Sequence, residues 1–304
     1  MTSAPLPDAA PANWVDRHAP AWARPWLKLG RFDRPTGIWL LMLPGWQGAA
    51  LAAAEDRLPP DPWLLAKVLV GAALMRAAGC AYNDIVDRDI DAKVARTALR
   101  PIPSGQIGVR QAWIFLAACS LASFCILLTL PPLAIGLGMA SLGLVGAYPF
   151  MKRITWWPQA WLGLTFNWGA VLAYAAATGG LRPPALLLYA SGFFWTLGYD
   201  TIYAIQDLED DALAGVKSSA RRLGEAAPSA VGIFYAVSLA LALAAAWAAG
   251  LHPSFLGPAL LVALHLAWQA GRVRTGDPPG ALALFKSNTA AALLLFAAFV
   301  AGAV

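Results

Sequence analysis

Charge is what this chain has least of. Only 13% of its 304 residues are Asp, Glu, Lys or Arg, against about 25% in an ordinary soluble domain. Hydrophobic residues reach 59%. A water-soluble globule of this length has no interior large enough to hide that surface, and the same composition excludes a disordered chain. Cysteine is scarce too. Cys80, Cys119 and Cys125 all fall inside apolar runs with no CxxC or Cys/His pattern, which excludes a disulfide framework and a zinc site. His18, His252 and His265 share no metal spacing. The net charge is +5, but the basic residues are scattered through short loops, so no nucleic-acid partner is expected. The first 27 residues lack the apolar core of a signal peptide, and Asp8 and Asp16 argue against a transit peptide. They read as a disordered or surface-lying cytoplasmic tail.

What remains is a series of long apolar runs. A helix crossing about 30 Å of hydrocarbon needs about 20 apolar residues. Such runs lie at 36–54, 63–82, 112–130, 133–150, 158–178, 184–206, 229–249, 254–271 and 281–303. Pro131-Pro132, Gly179-Gly180, Pro183-Pro184 and Pro278-Pro279 punctuate the turns between them. The expected fold is an all-α polytopic membrane protein of nine transmembrane helices, with residues 28–304 as one transmembrane domain. Two longer polar loops, 83–111 and 207–228, interrupt the pattern. Seventeen Lys and Arg gather on one side of the bilayer and three on the other. Basic loops face the cytoplasm, which puts the N-terminus and both polar loops there. The expected location is a bacterial cell inner membrane, in preference to a mitochondrial one.

The acids are concentrated. Nine of 17 lie in Asp84–Asp91 and Asp200–Asp211, each at the end of an apolar run. Charges near hydrocarbon are costly and usually mark function. Asn83, Asp87 and Asp91 are spaced i, i+4, i+8, and Tyr203, Asp207 and Asp211 repeat that spacing. On continuing helices each set shares one face. Carboxylates gathered this way repel unless cations lie between them. Mg²⁺ takes such oxygen ligands together with substrate phosphate oxygens, and Arg88, Lys93, Arg96, Arg100, Lys152, Arg153 and Lys217 lie close by in the sequence. Together these residues suit the release of a diphosphate. Solvated loop caps and an ion-coupled transporter are the alternatives, although transporters keep their acids near the bilayer midplane on broken helices. Asn167 and Asn288, amides within spans, either face a cavity or bond a neighbouring helix.

These motifs resemble the UbiA family of intramembrane aromatic prenyltransferases. The family's NDxxDxxxD is met by Asn83, Asp84, Asp87 and Asp91 and runs on into DRDIDAKVARTALRPIPSG. Its second motif is met by Tyr199, Asp200, Tyr203, Asp207 and Asp211, followed by Lys217. RFDRPTGIWLLMLP (31–44) and YPFMKRITWWPQ (148–159) look like the family's first helix and helix 4–5 loop. The resemblance runs from about residue 28 to the C-terminus. Glu209 departs from it, standing where close relatives often have Asp.

The resemblance implies a helical bundle around a central cavity capped by the two Asp-rich loops. It implies polyprenyl diphosphate and 4-hydroxybenzoate as substrates and Mg²⁺ as cofactor, in ubiquinone biosynthesis, with the lipid bilayer as setting. Dihydroxynaphthoate, haem, homogentisate or chlorophyllide are the alternative acceptors. By that analogy Asn83, Asp87, Asp91, Asp207 and Asp211 hold the Mg²⁺–diphosphate. Asp84, Arg100, Tyr148, Lys152, Tyr203 and Lys217 line the substrates, and Arg153 meets the benzoate carboxylate. Asp87 and Asp91 join Asp200, Asp207 and Asp211 as the catalytic acids. The last three are the candidates to accept the phenol or ring proton, and the sequence does not choose among them.

Overall fold

The computed structural model describes residues 13–93, 97–208, 212 and 215–304, and these are helical almost throughout, with no strand among them. Two short helices come first, α1 (Trp14–His18) and α2 (Arg24–Leu29), within the stretch read as a tail. Asn13 caps α1, its Oδ1 accepting from the Asp16 N–H at 3.0 Å, and Lys28 reaches back to Asp16 at 2.7 Å. The long helices follow: α3 (Thr36–Glu55), α4 (Pro62–Asp91), α5 (Val109–Leu127) and α6 (Pro132–Ile154). Then come α7 (Pro158–Phe166), α8 (Trp168–Thr178) and α9 (Pro183–Ala204). A short α10 (Ser219–Leu223) leads into α11 (Ala227–Ala248), α12 (Leu256–Arg272) and α13 (Pro278–Ala301). Proline stands in the first turn of α6, α7, α9, α11 and α13. There its missing N–H would have had no partner anyway.

Seven of the described segments are long and apolar enough to cross a membrane: α3, α4, α5, α6, Ser219–Ala248, Pro253–Arg272 and α13. The runs expected at 184–206 and 158–178 are helical as well, the second broken at Asn167 into α7 and α8. Asn167 sits at φ −90°, ψ 0°. Its Nδ2 donates to the Gly163 carbonyl at 2.9 Å and to Thr196 Oγ1 of α9 at 2.8 Å. The two elements are so close that a Cβ on Gly192 would lie 2.2 Å from Asn167 Oδ1. This amide therefore bonds a neighbouring helix. Asn288 does the same, accepting from Trp195 Nε1 at 2.9 Å and donating to Gln269 Oε1 at 3.2 Å.

The described residues cluster into two compact units, the first within Met1–Trp39 and Val70–Leu127, the second within Leu40–Leu69 and Leu128–Val304. The chain passes between them inside α3, inside α4 and at the end of α5. The core of the first is built from Leu29, Ala81, Ile85, Ile102, Ile107 and Ala112. The second centres on Leu51, Tyr174, Leu188, Phe255 and Phe299.

The described parts of the two polar loops are more helical than expected. Residues 83–91 are the last turns of α4. Its 30 residues rise about 45 Å, past the ~30 Å of hydrocarbon. Hydropathy ends where the acids begin, but the backbone hydrogen bonding does not. The 207–228 stretch holds α10 and a 3₁₀ turn at Gly224–Ala226, and α9 runs into it through another at Ile205–Asp207.

Candidate active site

In the first unit the end of α4 carries Asn83, Asp84, Asp87 and Asp91. The helix is continuous, so Asn83, Asp87 and Asp91 share a face as their spacing requires. Asp84 and Asp87 are 0% exposed and Asp91 6%. Buried carboxylates need partners, and two arginines supply them for Asp84 and Asp91. Arg100 Nη1 donates to Asp91 Oδ2 at 2.8 Å and to Asp84 Oδ1 at 3.3 Å. Arg31 Nη2 donates to the same Asp84 Oδ1 at 2.6 Å, and its Nη1 to the Lys28 carbonyl at 3.0 Å. Burial alone would lower the Arg31 pKa, but the Asp84 charge and hydrogen bond, together with the charge of Asp33, outweigh it and hold the guanidinium above its ordinary value. Thr97 Oγ1 donates to the Asp91 carbonyl at 2.8 Å and so caps the end of α4. Nearby, burial pushes the Asp33 carboxyl above its usual range, against the pull of Arg34, Arg31 and Lys28.

The second unit carries the rest. Asp200 and Tyr203 lie on α9, and Asp207 ends the 3₁₀ turn that follows. A 3₁₀ turn has three residues per turn, so the expectation that Tyr203 and Asp207 share one α-helical face is corrected. Asp211 lies outside the described residues, as do Glu209 and Arg96. Tyr199 is buried, with Trp195 at 4.8 Å and Phe285 at 5.9 Å between ring centres, while Tyr203 packs on Phe285 at 4.5 Å. Tyr148, Lys152 and Arg153 stand at the end of α6, the first two half-buried and Arg153 exposed. Lys217 is brought to them: its N–H donates to the Lys152 carbonyl at 3.0 Å and its Nζ to the Ile154 carbonyl at 3.2 Å. Just beyond, Ser219 is pinned to α7 and α9. Its N–H donates to Gln159 Oε1 at 2.9 Å, and its hydroxyl pairs with Thr201 Oγ1 at 2.7 Å.

Sequence reasoning missed Arg31, Thr97 and Gln159. Arg31 opens the RFDRPTGIWLLMLP stretch, but its contact with Asp84 spans 53 positions and has no local signal. Among the described residues no three His, Cys, Asp or Glu side chains group to hold a metal ion. The donors nonetheless fit a hard divalent cation in kind, being carboxylates and an amide oxygen. Asp84 Oδ2, buried and without a hydrogen-bond partner among the described residues, leaves negative charge at this end of α4.

The fold recurs in solved structures. The apo structure of a UbiA homolog from Aeropyrum pernix K1 aligns with TM-score 0.72 at 28% identity, covering 86% of this chain and 96% of that one. A UbiA homolog from Archaeoglobus fulgidus bound to GPP and Mg²⁺ shares the fold at TM-score 0.68 and 20% identity, covering 90% and 99%. Among curated relatives, the mitochondrial 4-hydroxybenzoate polyprenyltransferase of Bos taurus is 44% identical over 290 residues, 95% of this chain and 78% of the relative. That of Arabidopsis thaliana is 41% identical over 292 residues, 96% and 72%. These relatives overturn the expectation of a bacterial cell inner membrane, because they are mitochondrial. The physical reason is that an asymmetry of Lys and Arg separates two faces of a bilayer without naming the compartment on either side. Finally, the model of the UbiA prenyltransferase family matches residues 41–297, and the chain belongs to that family.

Proposed function

We propose that this protein transfers a polyprenyl group from polyprenyl diphosphate to 4-hydroxybenzoate, at the ring carbon ortho to the hydroxyl. Diphosphate is released, and the product serves ubiquinone biosynthesis. The observation that carries this reading is the likeness, over 95% of the chain, to a 4-hydroxybenzoate polyprenyltransferase. Likeness to mitochondrial relatives also supports a mitochondrial membrane as the protein's setting.

In this reading both acidic motifs serve one diphosphate. Asn83, Asp87, Asp91, Asp207 and Asp211 would hold Mg²⁺, which when bound neutralises charge on the departing diphosphate. Arg100, Lys152 and Lys217 add fixed positive charge for the same oxygens. Asp84 keeps Arg100 in place, while Tyr148 and Tyr203 line the substrates. The C–O bond of the allylic diphosphate breaks, the ring carbon attacks the allylic carbon, and the ring proton leaves to a carboxylate of Asp200, Asp207 or Asp211. An allylic cation is short-lived in water, and the aromatic packing of Tyr199, Tyr203 and Phe285 suits a dry site. A planar guanidinium matches a carboxylate with two parallel hydrogen bonds, which assigns Arg153 to the benzoate.

The test is a product assay on the detergent-purified chain with geranyl diphosphate and 4-hydroxybenzoate, run beside dihydroxynaphthoate and homogentisate. Prenylated hydroxybenzoate is expected, abolished by EDTA and restored by Mg²⁺. Prenylation of another acceptor alone would replace the proposed substrate.

A further inference from the structure

Among the described residues two other than glycine have φ in the left-handed region, Arg31 at 61° and Arg57 at 58°. Arg31 closes α2 in a Schellman turn: the Phe32 N–H bonds the Leu27 carbonyl at 2.9 Å, and the Arg31 N–H bonds the Lys28 carbonyl at 3.1 Å. Glycine is the usual residue at that position because it has no Cβ to strain. The sequence has a glycine one place earlier, at Gly30, used for something else. A Cβ there would lie 2.7 Å from Phe32 Cε2 and 3.1 Å from Ala77 Cβ, so Gly30 lets the end of α2 lie directly against α4. Ala77 and Asp84 are seven apart on α4 and so share a face. The close approach at Gly30 therefore sets Arg31 two turns along from Ala77, where its guanidinium meets Asp84 Oδ1 at 2.6 Å, buried.

That same oxygen also takes Arg100, which divides its Nη1 between Asp84 and Asp91. We propose that Arg31 is a positioning residue for the diphosphate site. By occupying Asp84 Oδ1 it keeps Asp84 from drawing Arg100 wholly to itself, and so sets where Arg100 stands relative to Asp91. The inference rests on the proposed reading of Asp87 and Asp91 as metal–diphosphate residues.

The obvious alternative is a role in capping α2 alone, and one substitution separates the two. Arg31→Gly supplies the residue that the turn ordinarily uses and removes only the side chain. The probe is inorganic diphosphate with Mg²⁺, titrated calorimetrically into the full-length protein in detergent, beside steady-state kinetics. Arg31→Gly is expected to weaken diphosphate binding and to raise the KM for geranyl diphosphate, each about tenfold or more. The KM for 4-hydroxybenzoate should stay at its wild-type value. Arg31→Lys keeps the charge without the fork, so it should fall between wild type and Arg31→Gly, and it carries the test if the glycine variant fails to fold. Asp87→Asn is the control. Wild-type diphosphate binding by Arg31→Gly or Arg31→Lys, beside a loss in Asp87→Asn, overturns the inference alone. Wild-type binding by Asp87→Asn overturns the motif reading and the inference with it.

Discussion

The two acidic motifs share a DxxxD spacing, Asp87 with Asp91 and Asp207 with Asp211, yet they are built differently. The first stays on one unbroken helix, its acids are buried, and two arginines from outside the helix donate to Asp84 and Asp91. The second leaves α9 through a 3₁₀ turn, and Asp200 and Asp207 are only half-buried. Its neighbouring lysine, Lys217, bonds main-chain carbonyls at the end of α6. A buried carboxylate left unpaired is costly, whereas a half-buried one at a helix end keeps water as a partner. The difference predicts that the first motif is at once structural and chemical, while the second is chemical with little structural share.

The largest effect that would break this distinction is in stability. Asp84→Ala leaves Arg31 and Arg100 without a shared acceptor in a buried setting, and breaking such a pair costs about 3–5 kcal/mol. Asp200→Ala removes a half-buried group and should cost about 1 kcal/mol. Thermal unfolding in detergent compares the two. Equal losses would erase the contrast between the motifs.

Much of this contrast was legible in the residues, and the part that was not has physical causes. The positions of both motifs follow from acids gathered at the ends of apolar runs, because charge next to hydrocarbon is costly enough to be conspicuous. That Asn83, Asp87 and Asp91 share a face followed from spacing alone, since an α-helix fixes the angle per residue. The 3₁₀ turn before Asp207 did not, because a few tenths of a residue per turn leave no mark on composition. Asn167 signalled an anomaly inside an apolar run, but the break it makes depends on Thr196, 29 positions away. Arg31 was hidden most completely. Its left-handed backbone and its partner Asp84 are both set by the packing of α2 on α4, and neither has a local pattern.

A second prediction sharpens the comparison from the side of the second motif. If the cations there are available to substrate in a way that Arg31 is not, Arg153→Ala should change acceptor binding without changing the fold. A lost charge-assisted hydrogen bond is worth about 1.5–3 kcal/mol, or about 10- to 150-fold in KM for 4-hydroxybenzoate. The KM for geranyl diphosphate and the unfolding midpoint should barely move. Equal rises in both KM values would return Arg153 to the role of a cation anchoring the helix end.

The smallest effect lies inside the first unit and tests whether burial or pairing governs its acids. Asp33 is 4% exposed, and neither of its oxygens has a hydrogen-bond partner among the described residues. The Arg34 Nε lies 3.6 Å from Oδ1. Asp84, equally buried, takes two guanidinium hydrogen bonds. Burial accordingly pushes the Asp33 carboxyl up in spite of Arg34, Arg31 and Lys28. A carboxyl with a raised pKa in the fold keeps its proton at a pH where the unfolded chain has released it. Its stabilising share is therefore full below the ordinary Asp value of about 3.9, and is lost as the pH rises through the folded value. Above that range the buried carboxyl lowers stability, and Asp33→Asn, which does not ionise, escapes that loss. The variant should unfold at a higher temperature than wild type at pH 7, with the gap closing as the pH falls toward the carboxylate range. A gap that stays constant with pH would mean that Asp33 does not titrate differently in the fold, and that the arginines around it neutralise it as fully as they do Asp84.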